Sequence, residues 1–232
     1  IAQQFKDFFD GLPPANAINM PSIRPELISV HRPYFTLAEK IGRLHAFLLQ
    51  GRVGEIHITY SGDFSGIDTE LVTRFILTGF LKPANEDVNF VNAAILTRSR
   101  GIKITETSTG RETKQAELIT VEIKGGKAKP LSISGALVNN QPRITRINGY
   151  SMDLVPEGDV IIIRHKDKPG MIGKVGTLLG NHNINIAGMQ VGRKTVRGDA
   201  TMALAIDDPL TPEVLAKLRK LPGLTTARLV QF

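Results

Sequence analysis

The sequence predicts an α+β protein of two domains, and three observations carry that prediction. Its 232 residues exceed one small module and fall short of three. Apolar residues recur mainly at helical spacing to about residue 100, then in strict alternation to about residue 147. The last third repeats both periods in the order β-α-β-β-α-β.

The elements follow in order. Ile1, Phe5, Phe8 and Phe9 sit at helical spacing, and Gly11 with Pro13-Pro14 ends that helix. The chain opens without methionine, so residues 1–19 are expected to be the last helix and linker of something larger upstream. Asn16-Ala17-Ile18-Asn19-Met20-Pro21 reads as an extended crossing. Arg32-Pro33 is expected to open a long helix carrying Leu37, Ile41, Leu44 and Leu48, closed by Gly51. Ile56, Ile58 and Tyr60 alternate with polar residues as a half-buried strand. Ser61-Gly62-Asp63 turns the chain, and Asp68 caps a helix bearing Leu71, Val72, Phe75, Ile76 and Phe80. A further helix is expected over about 88–100, ending at Gly101. Strands follow at 102–105, 118–123, 131–138 and 143–147. Gly125-Gly126 and Asn148-Gly149 are turns, giving an antiparallel meander. Pro156-Glu157-Gly158 is a short joint.

Beyond the joint, Val160–Ile163 reads as a buried strand and Pro169-Gly170 as the start of a helix with Met171, Val175, Leu178 and Leu179 inward. Ile184–Val196 is a long strand whose alternation changes phase at Ala187-Gly188, which marks a bulge. Arg197-Gly198-Asp199 turns into the strand of Ala200, Met202, Leu204 and Ile206. Thr211-Pro212-Glu213 opens a second helix, and Leu224–Phe232 is the last strand. The expected architecture is therefore an α+β domain over 20–156 and a ferredoxin-like βαββαβ domain over 157–232.

Composition narrows the function. There are no cysteines, which excludes disulfides, thiol nucleophiles and thiolate metal sites and fits a cytoplasmic setting. No apolar run is long enough to cross a membrane, and there is no signal-peptide pattern. The formal charge is +7, and residues 159–232 hold 11 Lys+Arg against 6 Asp+Glu. That raises nucleic acid as a partner, but no aromatic residue lies in 184–196 or 200–206 to stack on a base. His31, His45 and His57 show no metal-ligand spacing and are read as structural, so no metal is expected. Ser61-Gly62-Asp63-Phe64-Ser65-Gly66 is neither a nucleophile elbow nor a dinucleotide loop.

One constellation has chemistry. Arg164-His165-Lys166-Asp167-Lys168 leads to the mouth of the helix at Pro169-Gly170, where free N–H groups and the helix dipole suit a carboxylate. Asp167 offers a carboxylate to an ammonium. Asn183 and Asn185 are expected to return to the same end of the sheet. Such a set matches a zwitterionic amino acid; the alternative is that Asp167 merely caps the helix and the asparagines serve the turn.

The run His165-Lys166-Asp167-Lys168-Pro169-Gly170-Met171-Ile172-Gly173, with Asn183-Ile184-Asn185-Ile186-Ala187, resembles an ACT domain, an amino-acid-sensing module. The segment before it resembles the intervening, allosteric-substrate-binding domain of long-form D-3-phosphoglycerate dehydrogenases. Its marks are Asn16–Pro21, Leu37-Ala38-Glu39-Lys40-Ile41-Gly42, Arg146-Ile147-Asn148-Gly149 and Asp153-Leu154-Val155-Pro156-Glu157-Gly158. The resemblance implies the regulatory portion of an enzyme of serine biosynthesis. Its NAD-binding and catalytic residues belong to upstream domains of the same chain, so neither catalysis nor a bound cofactor is expected in these residues. It implies L-serine as effector, with His165, Asp167, Gly170 and Asn185 at its site. It also implies a homodimer or higher oligomer through the ACT domain, with serine shared between the loop of one subunit and the strand of the other. Arg143 and Arg146 are a candidate anion site, although Tyr150-Ser151 stands where some relatives carry a basic pair. Gly158 is the candidate hinge. Two other readings remain: a subunit acting in trans on another metabolic enzyme, and a nucleic-acid-binding module.

Overall fold

The computed structural model describes residues 25–110, 117–125 and 130–232. The helix expected within 1–19 and the crossing at 16–21 lie outside the described residues, as does Gly126 of the expected turn. The fold is α+β, with five α-helices and two sheets among the described residues.

Helix α1 (Pro25–Leu48) buries Leu37, Ile41 and Leu44 completely. It starts before the expected opening at Arg32-Pro33, and Pro33 lies inside it. Proline forfeits one hydrogen bond there, which a helix held by packing on both sides of the break tolerates. Strand β1 (Glu55–Ser61) alternates as expected, with Ile56, Ile58 and Tyr60 inward. In helix α2 (Thr69–Leu81) the Asp68 carboxylate accepts from the Leu71 N–H at 3.0 Å, the cap read from the sequence. Helices α1 and α2 cross at two glycines. A Cβ on Gly42 would land on the Ile76 carbonyl, and one on Gly79 on the Glu39 carbonyl. The helix expected over 88–100 is shorter, α3 (Ala93–Ser99), because the side chains of Asn89 and Asn92 hold the chain before it in turns.

The first sheet comprises β1, β2 (Lys103–Thr109), β3 (Leu118–Lys124), β4 (Leu131–Val138), β5 (Gln141–Ile147) and β6 (Tyr150–Leu154), in the order β2-β1-β3-β4-β5-β6. Only β3 to β6 form the expected meander. Strand β1 is inserted between β2 and β3, and its pairing with β2 is parallel. Strand β6 completes a hairpin across Asn148-Gly149 that the sequence marked only by its turn.

The second sheet comprises β7 (Asp159–Lys166), β8 (Ile186–Arg193), β9 (Asp199–Ile206) and β10 (Leu224–Gln231), in the order β10-β7-β9-β8. Helices α4 (Met171–Gly180) and α5 (Pro212–Arg219) cover one face. This is the βαββαβ order expected. The register of β8 on β9 slips between Ile186 and Gly188, where the phase change marked a bulge.

The other face of the second sheet is not left to solvent. Val160, Ile162, Ala203 and Val230 join the buried cluster of the first domain with Leu37 and Ile41. The Lys40 ammonium of α1 lies 5.5 Å from the centre of the Phe232 ring. On β8, Gly192 lies against the Ser151 carbonyl of β6, and Lys194 just beyond it holds its Nζ 4.9 Å from the centre of the Tyr150 ring.

Candidate functional site

Residues of β7 alternate between the two cores. Ile161 and Ile163 face α4 and α5, so two residues further on His165 comes to the same side, 2% exposed. Its Nδ1 lies 2.9 Å from the Lys166 carbonyl. A carbonyl only accepts, so Nδ1 carries the proton and Nε2 of the neutral ring carries the lone pair. Nε2 is buried and has no hydrogen-bond partner among the described residues. A buried acceptor without a donor is costly unless something fills the place.

The chain then turns into α4. The Asp167 N–H donates to the Gly198 carbonyl at 2.8 Å. Its carboxylate Oδ2 accepts from Arg193 Nη1 at 3.0 Å and from the Arg197 N–H at 3.2 Å. The Arg193 guanidinium first, and the Arg197 amide second, hold the Asp167 carboxyl below the usual carboxylate range. Asp167 is therefore not the helix cap. Gly170 holds that place with φ 81°, a left-handed conformation suited to glycine, and supplies no side chain to the first-turn amides.

These groups line one cleft of about 350 Å³ at the ends of β7 and β8. Ile172 of α4, Val191 of β8 and Val196 in the β8–β9 turn give it an apolar rim, and they are 52%, 39% and 73% exposed. Arg193, Arg197 and the rim were not singled out from the sequence. The signal was topological: β7 and β8 are parallel and flank β9, so their ends meet.

The same topology corrects the expectation for the asparagines. A crossover from β7 through α4 returns the chain to the start of the parallel strand β8, not to the end of β7. Ile186 pairs with Ile206, as does Asp159, whereas Lys166 pairs with Asp199. Asn185 is thus separated from Asp167 within one chain by the length of β7, about 23 Å at 3.3 Å per residue. There its N–H donates to Asp208 Oδ2 at 2.8 Å and its amide to Asp207. Asn183 occupies the preceding turn with φ 54°.

Arg143 and Arg146 lie on β5. Its pairing with β6 slips between Ile144 and Arg146, so that Ile144 and Ile147 are both buried and the two arginines share the opposite face. Arg143 Nη1 stands 3.6 Å from Asp153 Oδ1. Gly158 has φ 61°, and its carbonyl accepts from the Phe232 N–H at 2.9 Å. Rotation there would have to part the buried cluster shared by both sheets. Among the described residues no group of three or more His, Asp or Glu is placed to hold a metal ion, and no helix is long and apolar enough to cross a membrane.

Comparison with known proteins accounts for both sheets. Residues 30–148 match the D-3-phosphoglycerate dehydrogenase intervening domain, and residues 160–223 match the ACT domain. The D-3-phosphoglycerate dehydrogenase of Archaeoglobus fulgidus is 39% identical over 235 residues, covering 100% of this chain and 44% of that one. That of Methanocaldococcus jannaschii is 37% identical over 233 residues, with the same coverage. That of a Synechocystis species is 36% identical over 234 residues, covering 100% of this chain and 42% of that one. The chain spans less than half the length of these relatives. It belongs to the D-3-phosphoglycerate dehydrogenase family, of which it carries the intervening domain followed by an ACT domain.

Proposed function

We propose that these domains regulate a D-3-phosphoglycerate dehydrogenase of serine biosynthesis by binding L-serine in the cleft between His165, Asp167 and the start of α4. The observation that carries this is the Nε2 of His165, buried and without a hydrogen-bond partner among the described residues, in a residue that lines the same cleft as Asp167 and the start of a helix that no side chain caps. The amides and the dipole suit the effector's carboxylate, Asp167 suits its ammonium, and His165 Nε2 accepts a donor such as the serine hydroxyl. The dehydrogenase chemistry, oxidation of 3-phosphoglycerate by NAD, belongs to other residues of such an enzyme. The residues present do not fit NAD: the loop from β1 towards α2 lacks the closely spaced glycines that cradle a pyrophosphate.

The placement of Asn185 bears on assembly. Strand β8 is the edge of its sheet among the described residues. Antiparallel pairing with β8 of a second copy would set Asn185 of the partner subunit against the Arg193 end, beside the cleft. A homodimer would then carry two symmetric sites, each drawn from both chains. Isothermal calorimetry with L-serine, D-serine and glycine tests the reading. L-serine is expected to bind best, and Asp167→Ala to weaken it about tenfold, the low end for a charge-assisted contact because solvent reaches this carboxylate. Unchanged affinity in that variant would remove Asp167 from the site.

A further inference from the structure

The carboxylate assigned to the effector's ammonium is already paired through one of its oxygens. Arg193 Nη1 lies 3.0 Å from Asp167 Oδ2, and the two side chains are 54% and 23% exposed. Arg193 stands at the end of the edge strand β8 and lines the same cleft as His165 and Asp167. Nothing structural requires this pairing. The β8–β9 turn is fastened to the β7–α4 loop without it, by the Asp167 N–H on the Gly198 carbonyl and by the Arg197 N–H on Asp167 Oδ2. Nor does Asp167 need Arg193 to stay ionised at neutral pH, since a carboxylate beside a backbone N–H is ionised there in any case. What the guanidinium does is neutralise the one acidic side chain that lines the cleft among the described residues, where the other charged lining residues are Lys168, Arg193 and Arg197.

We infer that Arg193 is an internal competitor for the ammonium subsite and sets the affinity and selectivity of the cleft. This rests on the reading that the site takes an amino acid. An incoming ammonium must either drive the guanidinium off Asp167 or sit beside it on a carboxylate whose charge is already balanced. Both weaken binding relative to a free carboxylate. The competition also fixes how binding responds to salt. In the parent chain one exposed ion pair is exchanged for another, and screening of the two nearly cancels. Without Arg193 binding gains an ion pair outright, so affinity must fall as salt rises. A further consequence concerns charge selection. With Arg193 in place the cleft holds three cations around one carboxylate, so a ligand with an extra negative charge is favoured over one without. Removing Arg193 shifts preference towards ligands whose amine dominates.

The test is calorimetry of the whole chain with L-serine, in the parent and in Arg193→Gln and Arg193→Lys, at 20 mM and 500 mM sodium chloride. The expected result is a two- to fivefold tighter Kd for Arg193→Gln at low salt, about what releasing one exposed ion pair supplies. That gain should be lost at high salt. Arg193→Lys, which keeps the charge, should stay within about twofold of the parent at both salts. L-serinamide, which lacks the carboxylate, should gain more from Arg193→Gln than L-serine does. Weaker binding in Arg193→Gln would overturn the inference and make Arg193 a direct partner of the ligand's carboxylate. Equal binding with an unaltered salt response would also overturn it. Binding of L-serine by none of the three proteins would overturn the amino-acid reading itself and the inference with it. A thermal unfolding midpoint for each variant shows whether the fold is kept.

Discussion

His45 gives a pH dependence whose size follows from its surroundings. It lies on α1, wholly buried, with Nδ1 2.9 Å from the Ile41 carbonyl and Nε2 3.3 Å from the Leu131 carbonyl. Burial pushes the imidazole down from 6.5 to about 4, against the pull of those carbonyls, which favour the charged ring. The folded chain therefore binds this proton less readily than the unfolded chain. Stability from neutral His45 is fully present above pH 6.5 and is lost as pH falls towards 4. With those two values, the loss between pH 7.5 and pH 5 is about 2 kcal/mol. The perturbation is His45→Leu, which removes the titration. At pH 7.5 the variant is expected to be less stable, because the neutral ring's single N–H no longer reaches a buried carbonyl. At pH 5 the gap between parent and variant should shrink by about 2 kcal/mol, read from urea unfolding at both pH values. Every group other than His45 is common to both proteins, so the difference isolates His45. A gap unchanged between the two pH values would refute the reasoning. So would an NMR titration placing His45 near 6.5 in the folded parent, a measurement that does not depend on the variant folding.

Gly79→Ala should destabilise the chain by about 1–3 kcal/mol, because its new methyl group meets the Glu39 carbonyl on α1 and the helices must separate; urea unfolding measures this. A mixed dimer of Asp167→Ala and Asn185→Ala chains should bind one L-serine per two chains, since one of its two shared sites keeps both residues; two or none would contradict the antiparallel β8 pairing. Gly158→Val should lower the unfolding midpoint, because φ 61° strains a β-branched residue. If the joint carries the signal, the same change in a full-length enzyme should weaken inhibition while serine affinity in this chain stays within a few-fold.

Elements specified by local chemistry were legible in the sequence. The Asp68 cap, the alternation of β1, β3 and β9, and the phase change at Ala187-Gly188 each depend on a few adjacent residues. Long-range pairing was not. Nothing within Lys103–Thr109 says that it joins β1 in parallel, since period two reads the same in either direction. Proline suits a first turn, so Arg32-Pro33 reads as a helix start, yet packing of the flanking turns outweighs one lost hydrogen bond. His165, Asp167 and Gly170 are legible because they lie close together in sequence, where the end of β7 runs into the loop before α4. Arg193 and Arg197 reach that loop only through the hairpin, and the end of the sheet to which Asn185 returns within one chain is set by the crossover, a property of the sheet. The apolar run Val160-Ile161-Ile162-Ile163 did carry one long-range message, a strand covered on both faces.

That double cover decides how the sensor could be moved to another protein. Val160, Ile162, Ala203 and Val230, none more than 3% exposed, are the ledge on which the first domain rests. A graft of residues 157–232 alone would turn this ledge outward as a sticky apolar surface on a small module, inviting self-association in place of ligand response. A designer could repaint the four positions with polar residues, at the expense of the face that meets α1. The alternative is to export both sheets together. The transferable part is then a double-layered block rather than a bead on a string, and a host enzyme would have to accept its bulk as well as its signal.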